Sequence, residues 1–364
     1  MAKETSLDKA RKIINEVDAK MRELFIERMR AAEMVAEYKK ERGLGIFDSA
    51  REAEVIKKNS DAIDDPVVKE FYVNFLKNNM AVSRSYQARL MEGMRVAYSG
   101  VEGAFAHIAS EKLYPSATKV AFPDFSSAYR AVESGECDVC VLPLENSYNG
   151  EVGQVTDLIF SGSLYVNGVF DLPVTQDLLG VFGAEISNIK TVISHPQALG
   201  QCNGYIQAHG FETLERTNTA LAAREVSERG DKTIGAIASG EAAELFGLDI
   251  LDHDINEAKS NTTRFAIFSR IANKRIPSES GVHSILVFTV RNEAGALARA
   301  IDIIGSHGFN MRCLRSRPMK ELLWQYYFYV ECEGDIQTDS GTAMMEALGE
   351  FCDKLKFVGT YFKR

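Results

Sequence analysis

Apolar residues recur with a seven-residue spacing through the start of this 364-residue chain. Leu7, Ile14, Met21 and Val35 share one phase with Arg28, and Val17, Leu24 and Tyr38 fall on the companion phase. The spacing predicts one helix of roughly 36 residues, about 54 Å long at ~1.5 Å per residue, ended by the Gly43–Gly45 segment. A helix of that length cannot cover its own apolar stripe, so it must pack against other helices or another chain. A second helix is expected after Phe47, where Ser49 and Glu52 form a capping-box pattern. A third opens at Asp64-Asp65-Pro66, with proline in the first turn, and runs to about Met91.

From Arg95 the period changes. Short apolar runs ("RVAYSG", "CDVCVLPLEN", "KTVISHP", "KTIGAIAS", "TRFAIFSR") alternate with helical stretches, which predicts an α/β layout with mainly parallel strands ending near Arg270. The segment "ANKRIPSESG" reads as a linker. From Val282 the order is strand, helix from Ala296, two strands, helix from Thr338, strand: the βαββαβ pattern of ferredoxin-like folds. Three domains are therefore expected, at 1–92, 93–271 and 282–364.

Composition narrows the function. The hydrophobic fraction is 45% and the net charge is −9, which argues against nucleic acid as the main partner. No apolar run approaches ~18 residues, so no membrane span is indicated. The start, "MAKETSLDKARK", lacks the apolar segment of a secretory signal, and the six cysteines are scattered, so a reduced, cytoplasmic location is expected. Cys137 and Cys140 form a lone CxxC inside an apolar strand pattern and read as buried thiols; no metal cluster or cofactor motif is expected.

Arg28 is a cation on an apolar seam, a costly placement unless an anion meets it. Lys39 lies nearly in phase with it. Arg11 lies 17 residues earlier, ~25 Å along the axis, so one small ligand cannot touch both arginines of one helix. Asp48, Arg51 and Glu52 share a helix face, and Ser83 and Gln87 are an i, i+4 polar pair. This arrangement resembles the all-helical chorismate mutase family over residues 7–92. The resemblance implies an intertwined homodimer, with Arg11 reaching the partner's site. It implies that Arg11, Arg28, Lys39, Asp48, Arg51, Glu52, Ser83 and Gln87 bind chorismate, Lys39 and Gln87 facing its ether oxygen. Glu52 also reads as a plain helix cap.

In the middle segment the apolar strand "VCVLPLENSYNGEV" delivers Glu145, Asn146 and Ser147 to one end, which reads as a turn or as a site at a strand's carboxyl end. "SHPQALGQC", "AIAS" and "NTTRF" supply similar polar ends, and four of them point to a common cleft. His195-Pro196 reads best as a helix start. The loop "SGVEGAFAH" lacks phosphate-loop spacing; it reads as a strand-to-helix turn whose N–H groups could meet a carboxylate. Together these segments resemble prephenate dehydratase over about 95–270. That implies two α/β lobes with a site in the cleft at Glu145, Asn146, Ser147, Ser194, Gln201, Thr263 and Arg264. Thr263 is the candidate proton donor, and Arg264 is either a carboxylate binder or a structural ion-pair partner.

The last segment resembles the ACT regulatory domain found in many prephenate dehydratases. Gly295, Ala296, Leu297 and Asn310 match its effector loop, implying phenylalanine as effector. Three departures stand out: Arg312 and Arg315 replace the family's usual Thr and Glu, and Leu322-Leu323 replaces Asn-Pro. The reading is a homodimeric or larger bifunctional enzyme that takes chorismate to prephenate and prephenate to phenylpyruvate. The alternatives are a dehydratase whose helical segment only dimerises, and a non-catalytic ligand sensor.

Overall fold

The heptad phase at the N-terminus forms a single helix, α1 (Ser6–Glu41). Thr5 caps it, accepting from the Asp8 N–H while the Asp8 carboxylate accepts from Thr5. Two further helices follow, α2 (Ser49–Ser60) and α3 (Pro66–Glu92), the latter capped by Asp65 with Pro66 at its first position. The start of α2 differs from expectation. Asp48, extended, is the cap and accepts from the Arg51 N–H at 3.0 Å, so Ser49 is already helical. Both residues cap well, but a carboxylate also gains from the partial positive charge of the helix start. On α1 only Ala32 and Ala36 are buried. Leu7, Ile14, Val17, Met21, Leu24, Val35 and Tyr38 are all more than 40% exposed within one chain.

The computed structural model describes residues 5–258, 260–274, 281–319 and 325–362. It divides into two units, Met1–Arg95 and Val96–Arg364. No helix among the described residues is long and apolar enough to cross a membrane.

The second unit begins with β1 (Arg95–Ser99), α4 (Phe105–Leu113), β2 (Thr118–Phe122), α5 (Phe125–Glu133), β3 (Val139–Asn146), β4 (Gly150–Glu151), α6 (Gly153–Ser161) and β5 (Tyr165–Pro173). The chain then crosses to a second sheet through β6 (Asp177–Gly180), β7 (Thr191–Ser194), α7 (Pro196–Gln201), α8 (Asn203–His209), β8 (Glu212–Glu215), α9 (Thr219–Arg229), β9 (Ile234–Ala238), α10 (Gly240–Phe246) and β10 (Asp249–Asp252). It returns as β11 (Thr262–Ser269). The sheet orders are β2-β1-β3-β11-β5, with β4 on β3, and β10-β6-β9-β7-β8. The sheets are mixed rather than mainly parallel. β1 runs parallel to β3, and β7 parallel to β8 and β9, but β11 is antiparallel to β3 and β5, and β6 to β9 and β10. The reason is the double crossing: the strand that leaves the first lobe and the strand that returns to it lie side by side and run oppositely.

A third sheet follows, from β12 (Val282–Thr289), α11 (Ala296–Ser306), β13 (Met311–Pro318), β14 (Tyr326–Glu333), α12 (Asp339–Phe351) and β15 (Lys354–Phe362). Its order is β13-β14-β12-β15, all antiparallel, as the βαββαβ pattern predicts. Leu322-Leu323 lies outside the described residues. One face of this sheet buries Leu286, Phe288 and Val330 under α11 and α12. The other face, with Ile285, Val287, Tyr329, Val358 and Tyr361, joins the same core as Leu142, Leu144 and Phe268 of the first lobe. β12 is therefore buried at every position, its apolar Ile285–Phe288 stretch flanked by the buried polar residues His283, Ser284 and Thr289. β15 approaches β5 so closely that a Cβ on Gly359 would collide with the Val166 carbonyl oxygen. The third segment shares a core with the second.

Candidate active sites

In the helical unit the seam cation meets the third helix. Arg28 on α1 donates through Nη1 to Ser83 Oγ and, at 3.4 Å, to the Asn79 carbonyl on α3. Among the described residues no carboxylate pairs with it. Burial lowers its pKa from the ordinary arginine value, the mark of a cation partly stripped of water without a counter-ion. Gln87, one turn beyond Ser83, is buried and its Oε1 has no hydrogen-bond partner, a state that a polar ligand group would relieve. Lys39 donates to the Ile46 carbonyl. Glu52 projects from α2 to an ion pair with Arg84 of α3. It does not reach back as a cap.

Three predicted residues sit apart from this cluster. Arg11 is exposed, Asp48 is engaged as the α2 cap, and Arg51 pairs with Glu54 at 2.7 Å on an exposed face. Arg84 was not legible beforehand. It lies one position off the Ser83–Gln87 phase and reads as solvent-facing until α2 is placed against it.

In the second unit the end of β3 makes a turn and a polar cluster at once. Asn146 ends β3 and its Oδ1 accepts from the Tyr148 and Asn149 N–H groups at 3.0 and 2.9 Å, making the turn. Its Nδ2 donates to Thr263 Oγ1 and Asn261 Oδ1, each at 2.9 Å. Because Asn146 occupies the Thr263 oxygen as a donor, the threonine hydrogen remains available to donate elsewhere. Ser147 ties the two strands further, its Oγ accepting from the Thr262 N–H at 2.9 Å. Beside this pair lies a cavity of about 210 Å³ lined by Tyr148, Gln201, Asn256, Glu257, Ala258 and Asn261. Asn261 is 4% exposed with an unpartnered Nδ2, and Gln176, at the outgoing crossover, is 2% exposed with an unpartnered Oε1. Asn261 belongs to the "NTTRF" end, but Gln176 and Asn256 sit on short connections with no periodicity to single them out.

The strand register separates the remaining candidates. Asn146 pairs with Thr263, and Glu145 with Arg264, so the two pairs point to opposite faces. Arg264 binds Asp171 at 3.0 Å. Its pKa is raised: burial opposes the charge, but the hydrogen bond to Asp171 and the nearby carboxylates outweigh it. Glu145 is held by Arg315 of β13 at 2.7 Å. Ser194 is fully buried and donates to the Ile237 carbonyl. His195 caps α7, accepting from the Gln197 N–H at 3.2 Å. In the glycine loop the Gly103 N–H donates to His107 Nδ1 rather than standing ready for a carboxylate. Cys137 and Cys140 are buried, and burial drives the Cys140 thiol well above its ordinary pKa.

At the C-terminal loop Gly295, φ +84°, caps α11, a conformation that disfavours other residues. Ala296 is buried and Leu297 packs on the same core. Asn310 donates to Glu333 at 2.8 Å, and Arg312 pairs with Glu333 at 3.3 Å, so its extra charge is met locally.

Two family models match the chain: chorismate mutase type II over residues 10–88 and prephenate dehydratase over 96–273. The bifunctional chorismate mutase/prephenate dehydratase of Neisseria gonorrhoeae is 30% identical over 96% of this chain and 95% of its own length. That of Aquifex aeolicus is 29% identical over 98% of both. Among solved structures, a prephenate dehydratase from Arthrobacter aurescens in complex with L-Phe is 26% identical, with a TM-score of 0.67 over 74% of this chain and 90% of that one.

Proposed function

Because the chain belongs to the family of bifunctional chorismate mutase/prephenate dehydratases, we propose that it isomerises chorismate at the Arg28–Gln87 cluster and dehydrates prephenate beside Asn146 and Thr263. It is an enzyme with both activities. The observation that carries the assignment of sites is that Arg28, Ser83 and Gln87 lie together in one unit and Asn146, Asn261 and Thr263 in the other, and each set retains a buried polar atom without a partner.

The first reaction breaks an ether C–O bond while a C–C bond forms, with no proton transfer, so positioning and charge stabilisation supply the catalysis. Arg28 and a second copy's Arg11 clamp the two carboxylates. Lys39 and Gln87 face the ether oxygen, where negative charge develops. Ser83 fixes Arg28, and Glu52, steadied by Arg84, takes a substrate hydroxyl. The second reaction expels CO2 and the ring hydroxyl to give phenylpyruvate and water. Hydroxide leaves poorly, so a donor must protonate it. Thr263 is that donor, with Asn146 orienting it and Gln201 and Asn261 holding the ring and carboxylates.

The uncovered heptad stripe of α1 supports a homodimer, and the Arg11–Arg28 separation supports sites shared between two chains. Arg11→Ala and Lys39→Ala proteins are each expected to lack mutase activity. Verified mixed dimers of the two are expected to recover a fraction of it, since both lesions can fall in one site and leave the other whole. No recovery would place the site within one chain. The cysteines, all free thiols, support a cytoplasmic location.

Phenylalanine is the proposed effector, bound at Gly295, Ala296, Leu297 and Asn310. It inhibits the dehydratase by preferring one of two global states. One assay tests the whole reading: purified protein is given chorismate, then prephenate, with phenylalanine titrated into both. Prephenate and phenylpyruvate should form, and phenylpyruvate should decline as phenylalanine rises. Turnover of supplied prephenate alone would reduce the helical unit to a dimerisation element. Turnover of neither would leave a sensor.

A further inference from the structure

The face of the first sheet opposite Asn146 and Thr263 carries a row of charges. Glu145, Arg264 and Asp171 are successive cross-strand partners on β3, β11 and β5. The third sheet meets this row with two more. Arg315 reaches Glu145 at 2.7 Å, and Glu331 lies 4.0 Å from Arg264. Glu331 is itself 6% exposed and accepts from Tyr361 Oη at 2.6 Å. β13 presents its odd-numbered residues inward, so Arg317 follows Arg315 onto the same surface and pairs with Asp157 at 3.0 Å.

We propose that Arg315 is a positioning residue of the dehydratase, fixing the end of β3 through Glu145 so that Asn146 holds Thr263 in its donating orientation. The inference rests on the assignment of Asn146 and Thr263 to the dehydratase site. Glu145 and Asn146 are adjacent in one strand end that has turned into a loop by Ser147, so restraint on one side chain is restraint on the peptide that carries the next. Asn146 has the turn N–H groups on its Oδ1 and Thr263 on its Nδ2, so a small rotation of that peptide disturbs the hydroxyl directly. The Arg315–Glu145 pair is largely buried, its side chains 19% and 33% exposed, so loss of one partner can also cost stability and the fold is measured beside the rate.

The test measures kcat and KM for prephenate in the full-length Arg315→Met, Arg315→Lys, Glu145→Gln and Arg315→Met/Glu145→Gln proteins, with the chorismate mutase rate and circular dichroism reporting the fold. Arg315→Met and Glu145→Gln are each expected to lower kcat by about tenfold or more, the scale of a small misplacement of reacting groups, while KM changes little because Glu145 faces away from Thr263. Arg315→Lys should retain most of the rate, and the double variant should be no slower than the slower single one, since both remove one interaction. A normal kcat in Arg315→Met or in Glu145→Gln overturns the proposal, as do losses that multiply in the double variant. If those variants lose rate while Thr263→Val and Asn146→Ala keep it, the site assignment itself is wrong. If the opposite holds, only the positioning role falls.

Discussion

Thr263→Val is expected to lower dehydratase kcat by roughly 10²- to 10⁴-fold, the usual worth of a positioned proton donor, with a much smaller change in KM. Valine keeps the β-branched shape that β11 needs and removes only the hydroxyl. Thr263→Ser should keep part of the rate, because Asn146 can still donate to a serine oxygen. The Asn146–Thr263 bond at 2.9 Å gives the prediction its direction: with its oxygen already accepting, the hydroxyl is left to donate toward the leaving group. Steady-state kinetics on supplied prephenate, in protein whose mutase rate is normal, decides the matter. A valine variant with near-normal kcat would mean that the proton comes from another group.

Arg28→Ala is expected to reduce mutase kcat/KM by roughly 10²- to 10³-fold, equivalent to about 3–4 kcal/mol of lost charge stabilisation, and to leave dehydratase turnover of prephenate unchanged. Arg28→Lys should recover little, because an ammonium cannot make the paired, planar contact with a carboxylate. The separation follows from the two units of the fold. Equal loss of both activities in folded protein would contradict it.

How much of this was legible beforehand depended on distance along the chain. α1 ends within a residue or two of its predicted bounds because helical phase and the glycines around Gly43 are local signals. Arg28, Ser83 and Gln87 were legible because helical phase alone decides which side chains share a face. The dehydratase set was only half legible. Period two along a strand already requires Glu145 to point away from Asn146, and Arg264 away from Thr263. Which pair faces the cavity depends on the pairing of β3 with β11, strands far apart in sequence, and no local pattern encodes that. The partner of Arg315 was out of reach for the same reason: its strand belongs to a different sheet. The mixed sheet directions were likewise hidden, since a buried apolar strand reads the same in either direction.

The core that β12, β14 and β15 share with the first lobe bears on how the proposed inhibition by phenylalanine could be removed. Amputation after residue 271 is the obvious route to a deregulated catalyst. Here it would strip the cover from Leu142, Leu144 and Phe268 and leave a broad apolar face that invites aggregation. The contact of Gly359 with the Val166 carbonyl shows how intimate the join is. Desensitised versions of this chain are better sought by changing single residues of the Gly295 loop, with the whole C-terminal sheet left in place as part of the catalyst's own scaffold.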